Sequence, residues 1–250
     1  MIDDNVVLAG KLSNKQKALS FILLFPAYLF YIPTIINFLI KLYINNTTDK
    51  VDYALLGVWL NLSVGLLSLV LAVFILKDFI ADNFRAFKEK LLENVIWSCS
   101  VGIGILYGAS IVANILVNLL LGSKGADGSA NQQLFELLLS NNLIIMAIQA
   151  VILAPIVEEL LFRGVIFRSL RKYGLLIAHI VSALLFGFLH IYSALLNGDM
   201  TQLIQMIPYV AMGFVFSYSY EKRGNIGSAI LLHMLNNLIA VALSIITAKI

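Results

Sequence analysis

Charge is scarce in this chain: charged residues make up 12% of its 250 positions, and hydrophobic residues 60%. A soluble domain is nearer a quarter charged and half apolar, so the composition excludes an ordinary soluble fold and points to an integral membrane protein. Cysteine is nearly absent. Cys99 stands alone within an apolar segment, which excludes a disulfide framework. A net charge of +3 is too small to call for a nucleic-acid partner. No linker rich in Pro and Ser divides the chain and no internal repeat is visible, so one membrane domain over 1–250 is expected. The H-E-x-x-H pair of a helical zinc site is also missing.

Long apolar runs take up most of what is present. Seven can be marked: Leu19 to Tyr43, Tyr53 to Leu76, Val95 to Leu121, Leu143 to Phe167, Leu175 to Leu196, Leu203 to Tyr220 and Ile226 to Ile246. They predict an all-α, polytopic transmembrane helix bundle of about seven spans, with eight as the alternative count. The first run is too long for a signal-peptide core and lacks a small-residue cleavage site, so it is read as a retained span. With the N-terminus in the cytoplasm, all but four of the 17 basic residues fall on the inner side. The four on the outer side are Lys41, Lys50, Lys124 and Lys249. The expected location is a cell membrane, multi-pass, with a bacterial plasma membrane the assigned setting.

Gly122 to Gln133, with glycines at 122, 125 and 128, reads as an outer loop. It parts a less specific three-span portion, 1–121, from a core of four spans, 143–250. The run Leu134–Leu139 is expected to lie along the outer interface before the fourth span. Lys77 to Glu93 mixes charges with Phe79, Phe84 and Phe87, as an interfacial amphipathic helix does. A solvated loop with anchoring aromatics fits it equally. Pro26 and Pro33 are placed to kink the first span and Pro208 the sixth. Pro155, by lacking a donor, frees the carbonyl of Val151 three residues before Glu158.

Glu158 and Glu159 lie inside the fourth apolar run. One carboxylate at mid-membrane costs about 2.5–3.5 kcal/mol on insertion scales, so two in succession need a reason. Glu159 and Arg163 stand i,i+4 on one helical face, in the favourable order for an ion pair. Glu158 is turned about 100° away and has Phe162 at its own i+4 position. Glu159 is thus the candidate for a structural ion pair, and Glu158 for a carboxylate facing a cavity, where it could serve as a general base. An ion-pair network holding helices together is the alternative for both.

The fifth run carries Phe186-x-x-x-His190, whose phenylalanine can wall one side of the imidazole. His179, roughly 16 Å nearer the cytoplasm on the same helix, is read as a packing residue and left out of the site. The seventh run carries His233-x-x-x-Asn237, a pair on one face that suits an oxyanion hole or, equally, packing. Asn236 points elsewhere, as interhelical glue. In the third run, Ser110, Asn114 and Asn118 form a polar stripe, and Gly104 and Gly108 a small-xxx-small pair, both patterns of helix contacts. Depth raises one tension. Counted from the inner ends of these runs, His190 begins about 10 Å farther out than Glu158, and tilt or a lower start of the fifth helix must close the gap.

Taken together, Glu158-Glu159-x-x-x-Arg163, Phe186-x-x-x-His190 and His233-x-x-x-Asn237, in that order, resemble the CAAX protease and bacteriocin-processing (CPBP, or Abi) family of intramembrane peptidases. The resemblance covers roughly Leu143 to the C-terminus and includes the CAAX prenyl endopeptidases. It implies that Glu158 and His190 activate a water while His233 and Asn237 hold the oxyanion, with Glu159, Arg163 and Phe186 in support. It leaves metal use open: Glu158, His190 and His233 could supply three ligands to a catalytic zinc. The favoured reading requires no cofactor. The implied partners are the lipid bilayer and a peptide or prenylated protein substrate, a bacteriocin precursor among them. Two other classes compete: a non-catalytic bacteriocin-immunity or partner-binding protein, and a proton-coupled transporter, since Glu and His chains also relay protons.

Overall fold

The computed structural model describes residues 6–48, 50–125 and 128–248. Lys249, one of the four basic residues assigned to the outer side, lies outside them, and so does the side chain of Lys124. Within the described residues the chain is helical, with no strand. The helices are α1 (Asn14–Asn46), α2 (Tyr53–Glu89), α3 (Leu91–Leu121), the short α4 (Ala130–Asn141), α5 (Leu143–Tyr173), α6 (Leu175–Leu196), α7 (Gln202–Arg223) and α8 (Ile226–Ala248). Six of them, all but α4 and α7, are long and apolar enough to cross a membrane. Helix α7 has 22 residues, about 33 Å of helix, and so has the reach. Its hydropathy is lower because Gln202, Gln205, Ser217, Ser219 and Glu221 are buried inside the protein rather than set against lipid. The seven predicted runs are therefore the seven long helices of a multi-pass membrane protein.

The outside of the bundle carries the chemistry that a hydrocarbon solvent demands. Phe74, Leu119 and Leu92 are 72–80% exposed, while Arg163, Glu159 and His179 are fully buried. Polar groups turn inward because the bilayer offers them no hydrogen-bond partner.

Three expectations are corrected. Lys77 to Glu89 is neither an interfacial helix nor a loop but the continuation of α2, which runs unbroken for 37 residues. No Gly or Pro follows Gly65 to interrupt it, and Phe79 and Asn83 on this extension are buried. Gly104 and Gly108 form no close helix contact, since nothing lies within 4 Å of a Cβ at either. Helix α3 packs through Leu106, Ala113 and Val117 instead. The fourth span does not end at Phe167 but reaches Tyr173.

That last difference resolves the depth problem. Gly174, at φ +139°, makes the tight turn between α5 and α6, and it lies midway in sequence between Glu158 and His190. Two helices rising from one turn bring the two side chains to similar depth. Helix α6 then crosses α7 closely because the contact is made by small residues. A Cβ on Gly213 would meet the Ala183 Cα at 3.0 Å, and one on Gly187 would meet Val210 Cγ2 at 2.6 Å.

The N-terminal segment closes the same end of the bundle. Ala9 N–H donates to the Gly224 carbonyl at 2.7 Å. Arg168 donates to the carbonyls of Leu8, Ala9 and Gly10, and Arg171 donates to Val6 while pairing with Glu221 at 2.6 Å. Chain start, α5–α6 turn and α7–α8 turn therefore share one end, as alternating spans require. At the opposite end Ser129 caps α4 and Asn142 caps α5, so Leu134–Leu139 sits on a short separate helix between α3 and α5.

Candidate active site

Helix α5 departs from ideal winding where the chemistry is placed. Gln149–Leu153 is π-helical, Pro155 follows, and Leu160–Phe167 is π-helical again. The wider turns, common at functional sites, re-aim successive side chains around the glutamate pair.

Glu159 faces a sealed compartment. Its Oε1 accepts from Arg163 Nη1 at 2.9 Å, and both side chains are 0% exposed. Arg163 Nη2 donates to the Gly213 carbonyl at 2.6 Å, tying α5 to α7. The guanidinium also lies over Phe186, at 4.6 Å, and Phe216, at 5.3 Å. Glu159 has a second partner that the helical spacing did not reveal: the same Oε1 lies 2.9 Å from His233 Nδ1. The His233 ring stacks on Phe216 with centroids 4.4 Å apart.

Glu158 faces the other way, into a cavity of about 410 Å³. His190, His233 and Asn237 line the same cavity, so the structure brings together the four residues placed in the site by the motifs. Phe186 lines it too, its ring centroid 4.7 Å from that of His190 and 5.7 Å from that of His233. The roof toward α4 includes Asn131, Gln132 and Phe135.

Hydrogen bonding distinguishes the two nitrogens of each histidine. His190 Nδ1 lies 2.8 Å from the Phe186 carbonyl, which only accepts, so Nδ1 carries the proton and Nε2 is the nitrogen left for a ligand. His233 Nδ1 likewise donates to Glu159, leaving its Nε2. Asn237 Nδ2 gives one proton to the Ala150 carbonyl at 2.8 Å and keeps another. Asn236 donates to Asn237 Oδ1 at 3.0 Å and fixes that amide's orientation.

His179 lies apart from the cavity. Its Nδ1 is 2.7 Å from Ser217 Oγ, whose own proton goes to the Phe214 carbonyl, and its ring sits between Phe167 and Phe214. It is a packing histidine.

Several cavity residues escaped the sequence reading. Tyr209 stacks on His190 with centroids 4.3 Å apart, and its hydroxyl is 2.6 Å from Ser129 Oγ at the start of α4. Gln149 enters the wall against Gly65, where any Cβ would meet its Oε1 at 2.3 Å. Tyr28, on α1, donates to Glu158 Oε1 at 3.0 Å. A tyrosine in a run of Phe, Leu and Ile carries no local signal of such a contact. Gln149 did carry one, as an amide within an apolar run.

Among the described residues no three His, Cys, Asp or Glu converge on a point where a metal could sit.

Residues 140–239 match the family described as Type II CAAX prenyl endopeptidase Rce1-like. The chain is 24% identical over 191 residues to the protein named "Putative membrane peptidase YdiL" of Bacillus subtilis (strain 168), covering 76% of this chain and 72% of that one. It is 32% identical over 87 residues to "UPF0177 protein YxdF" of Lactococcus lactis subsp. lactis (strain IL1403), covering 35% of this chain and 43% of that one. No solved structure gives a significant match. The resemblance read from the three motifs is borne out, and the matched segment contains Glu158, His190, His233 and Asn237.

Proposed function

We propose that this protein is an intramembrane endopeptidase of the CAAX type, hydrolysing a peptide bond of a membrane-associated or prenylated substrate without a metal. One observation carries this reading: a carboxylate and three side chains with hydrogen-bonding capacity to spare line one cavity inside a lipid-facing bundle. The catalytic core is then the four-span part, 143–250.

The reaction follows from the free valences. Glu158 takes a proton from a water that His190 Nε2 orients as a second acceptor. The hydroxide oxygen bonds to the scissile carbonyl carbon, and the carbonyl oxygen becomes an oxyanion. Asn237 Nδ2–H and His233 Nε2–H receive that oxyanion. Since Nδ1–H of His233 is given to Glu159, a proton on Nε2 makes the ring an imidazolium, and the Glu159 carboxylate supplies its counter-charge. Glu158 then returns its proton to the amide nitrogen, the C–N bond breaks, and an acid and an amine leave.

The test uses purified protein in liposomes with a panel of prenylated and bacteriocin-like fluorogenic peptides. Cleavage by wild type, lost in Glu158→Ala, His190→Ala, His233→Ala and Asn237→Ala, supports the reading. Peptide binding that survives all four substitutions, with no cleavage by wild type, replaces it with a partner-binding or immunity role. Activity abolished by a chelator and restored by stoichiometric zinc overturns the metal-free mechanism.

A further inference from the structure

No residue within 140–239 donates a hydrogen bond to the Glu158 carboxylate. Arg163 gives its Nη protons to Glu159 and Gly213, His233 gives Nδ1–H to Glu159, and His190 gives Nδ1–H to Phe186. The one hydrogen bond to Glu158 among the described residues comes from Tyr28 on α1, at 3.0 Å to Oε1. Helix α1 contributes Tyr28, Leu29 and Pro33 to the cavity wall, so Tyr28 is its polar group there. The residue is set in the π-helical turn Ala27–Tyr31, directly after Pro26, and wider turns of this kind recur where a side chain must be re-aimed.

We propose that Tyr28 is a positioning residue for the reaction, acting through Glu158: its phenol fixes Oε1 and leaves Oε2 as the oxygen that takes the proton from water. A phenol suits the task beside the cavity. It donates one strong hydrogen bond to a carboxylate and, unlike Lys or Arg, adds no charge that would neutralise the base. The inference rests on reading Glu158 as that base. It also gives the first span a part in the chemistry, although α1 lies outside the matched segment.

Tyr28→Phe removes one oxygen and keeps the ring. In liposomes, with the best-cleaved fluorogenic peptide of the panel, kcat is expected to fall about 10- to 100-fold while KM changes less than about threefold. In a Glu158→Gln background the same substitution should cost less than about twofold, because the two side chains act as one unit. A readout without turnover accompanies this. The infrared carboxylate band identified by its loss in Glu158→Gln should shift in Tyr28→Phe. An unmoved band, a change confined to KM, or a full multiplicative loss in the Glu158→Gln background overturns the proposal. If wild type cleaves no peptide, the peptidase reading falls, and the infrared band still decides whether Tyr28 holds Glu158.

Discussion

The two faces of α5 that meet at Glu158 and Glu159 are built on opposite plans. Glu159 is fully enclosed and touches Arg163 and His233, the Arg163 guanidinium being stacked among aromatic rings. Glu158 is 7% exposed, borders open volume, and is steadied by a neutral phenol from another helix. About 100° of rotation separates the two plans. A buried carboxylate tied to a cation is held in place and is not available as a base. One held by a neutral donor beside a cavity has a free oxygen and no cation bonded to it. The difference shows that the costly feature is one charge neutralised for architecture and one charge left for use. His233 joins the faces, anchored on the sealed side by Nδ1 and lining the cavity on the other.

Substitutions can break this contrast. The largest expected effect is Glu158→Gln, which should lower kcat/KM about 10²- to 10⁴-fold on the best peptide of the panel. Its melting temperature in detergent should stay close to that of wild type. Glu159→Gln should show the reverse weighting. It strands the buried Arg163 charge at a cost of about 3–5 kcal/mol, read as a large fall in melting temperature. Adding Arg163→Met to it should recover most of that loss without restoring activity, because His233 then faces a neutral amide in place of the carboxylate. A recovered activity would show that the histidine does not need the Glu159 charge.

A smaller effect is expected at the helix crossing behind the site. Gly187→Ala drives a Cβ into Val210 and Met206 and should cost about 1–3 kcal/mol. Because α7 carries Tyr209 against His190, activity should fall more than stability alone explains. The smallest is Ser217→Ala, which removes the partner of His179. A loss of about 1 kcal/mol in unfolding free energy with activity within twofold keeps His179 outside the site.

Legibility in the sequence followed the range of the interactions. The Glu159–Arg163 pair was readable because it lies within one helical turn, as was the turning away of Glu158. The spans were readable because lipid requires long apolar runs. Local cues also misled. Lys77–Glu89 has the charges of a surface segment, yet Phe79 and Asn83 draw it onto the bundle as an extension of α2. The second partner of Glu159 and the donor to Glu158 were invisible, since they come from 74 and 130 positions away. Spacing along one helix carries no information about which face of another helix will meet it.

By itself, then, the sequence determined an all-helical membrane bundle, the face on which each titratable side chain stands, and three ordered motifs. These follow from helical periodicity and from the cost of polar groups in hydrocarbon, both of them local. The tertiary structure alone decided that a turn at Gly174 levels Glu158 with His190, that Glu159 serves Arg163 and His233 at once, and that α1 reaches across to hold Glu158. Those contacts depend on how helices cross, which is set by close packing of side chains far apart in the chain.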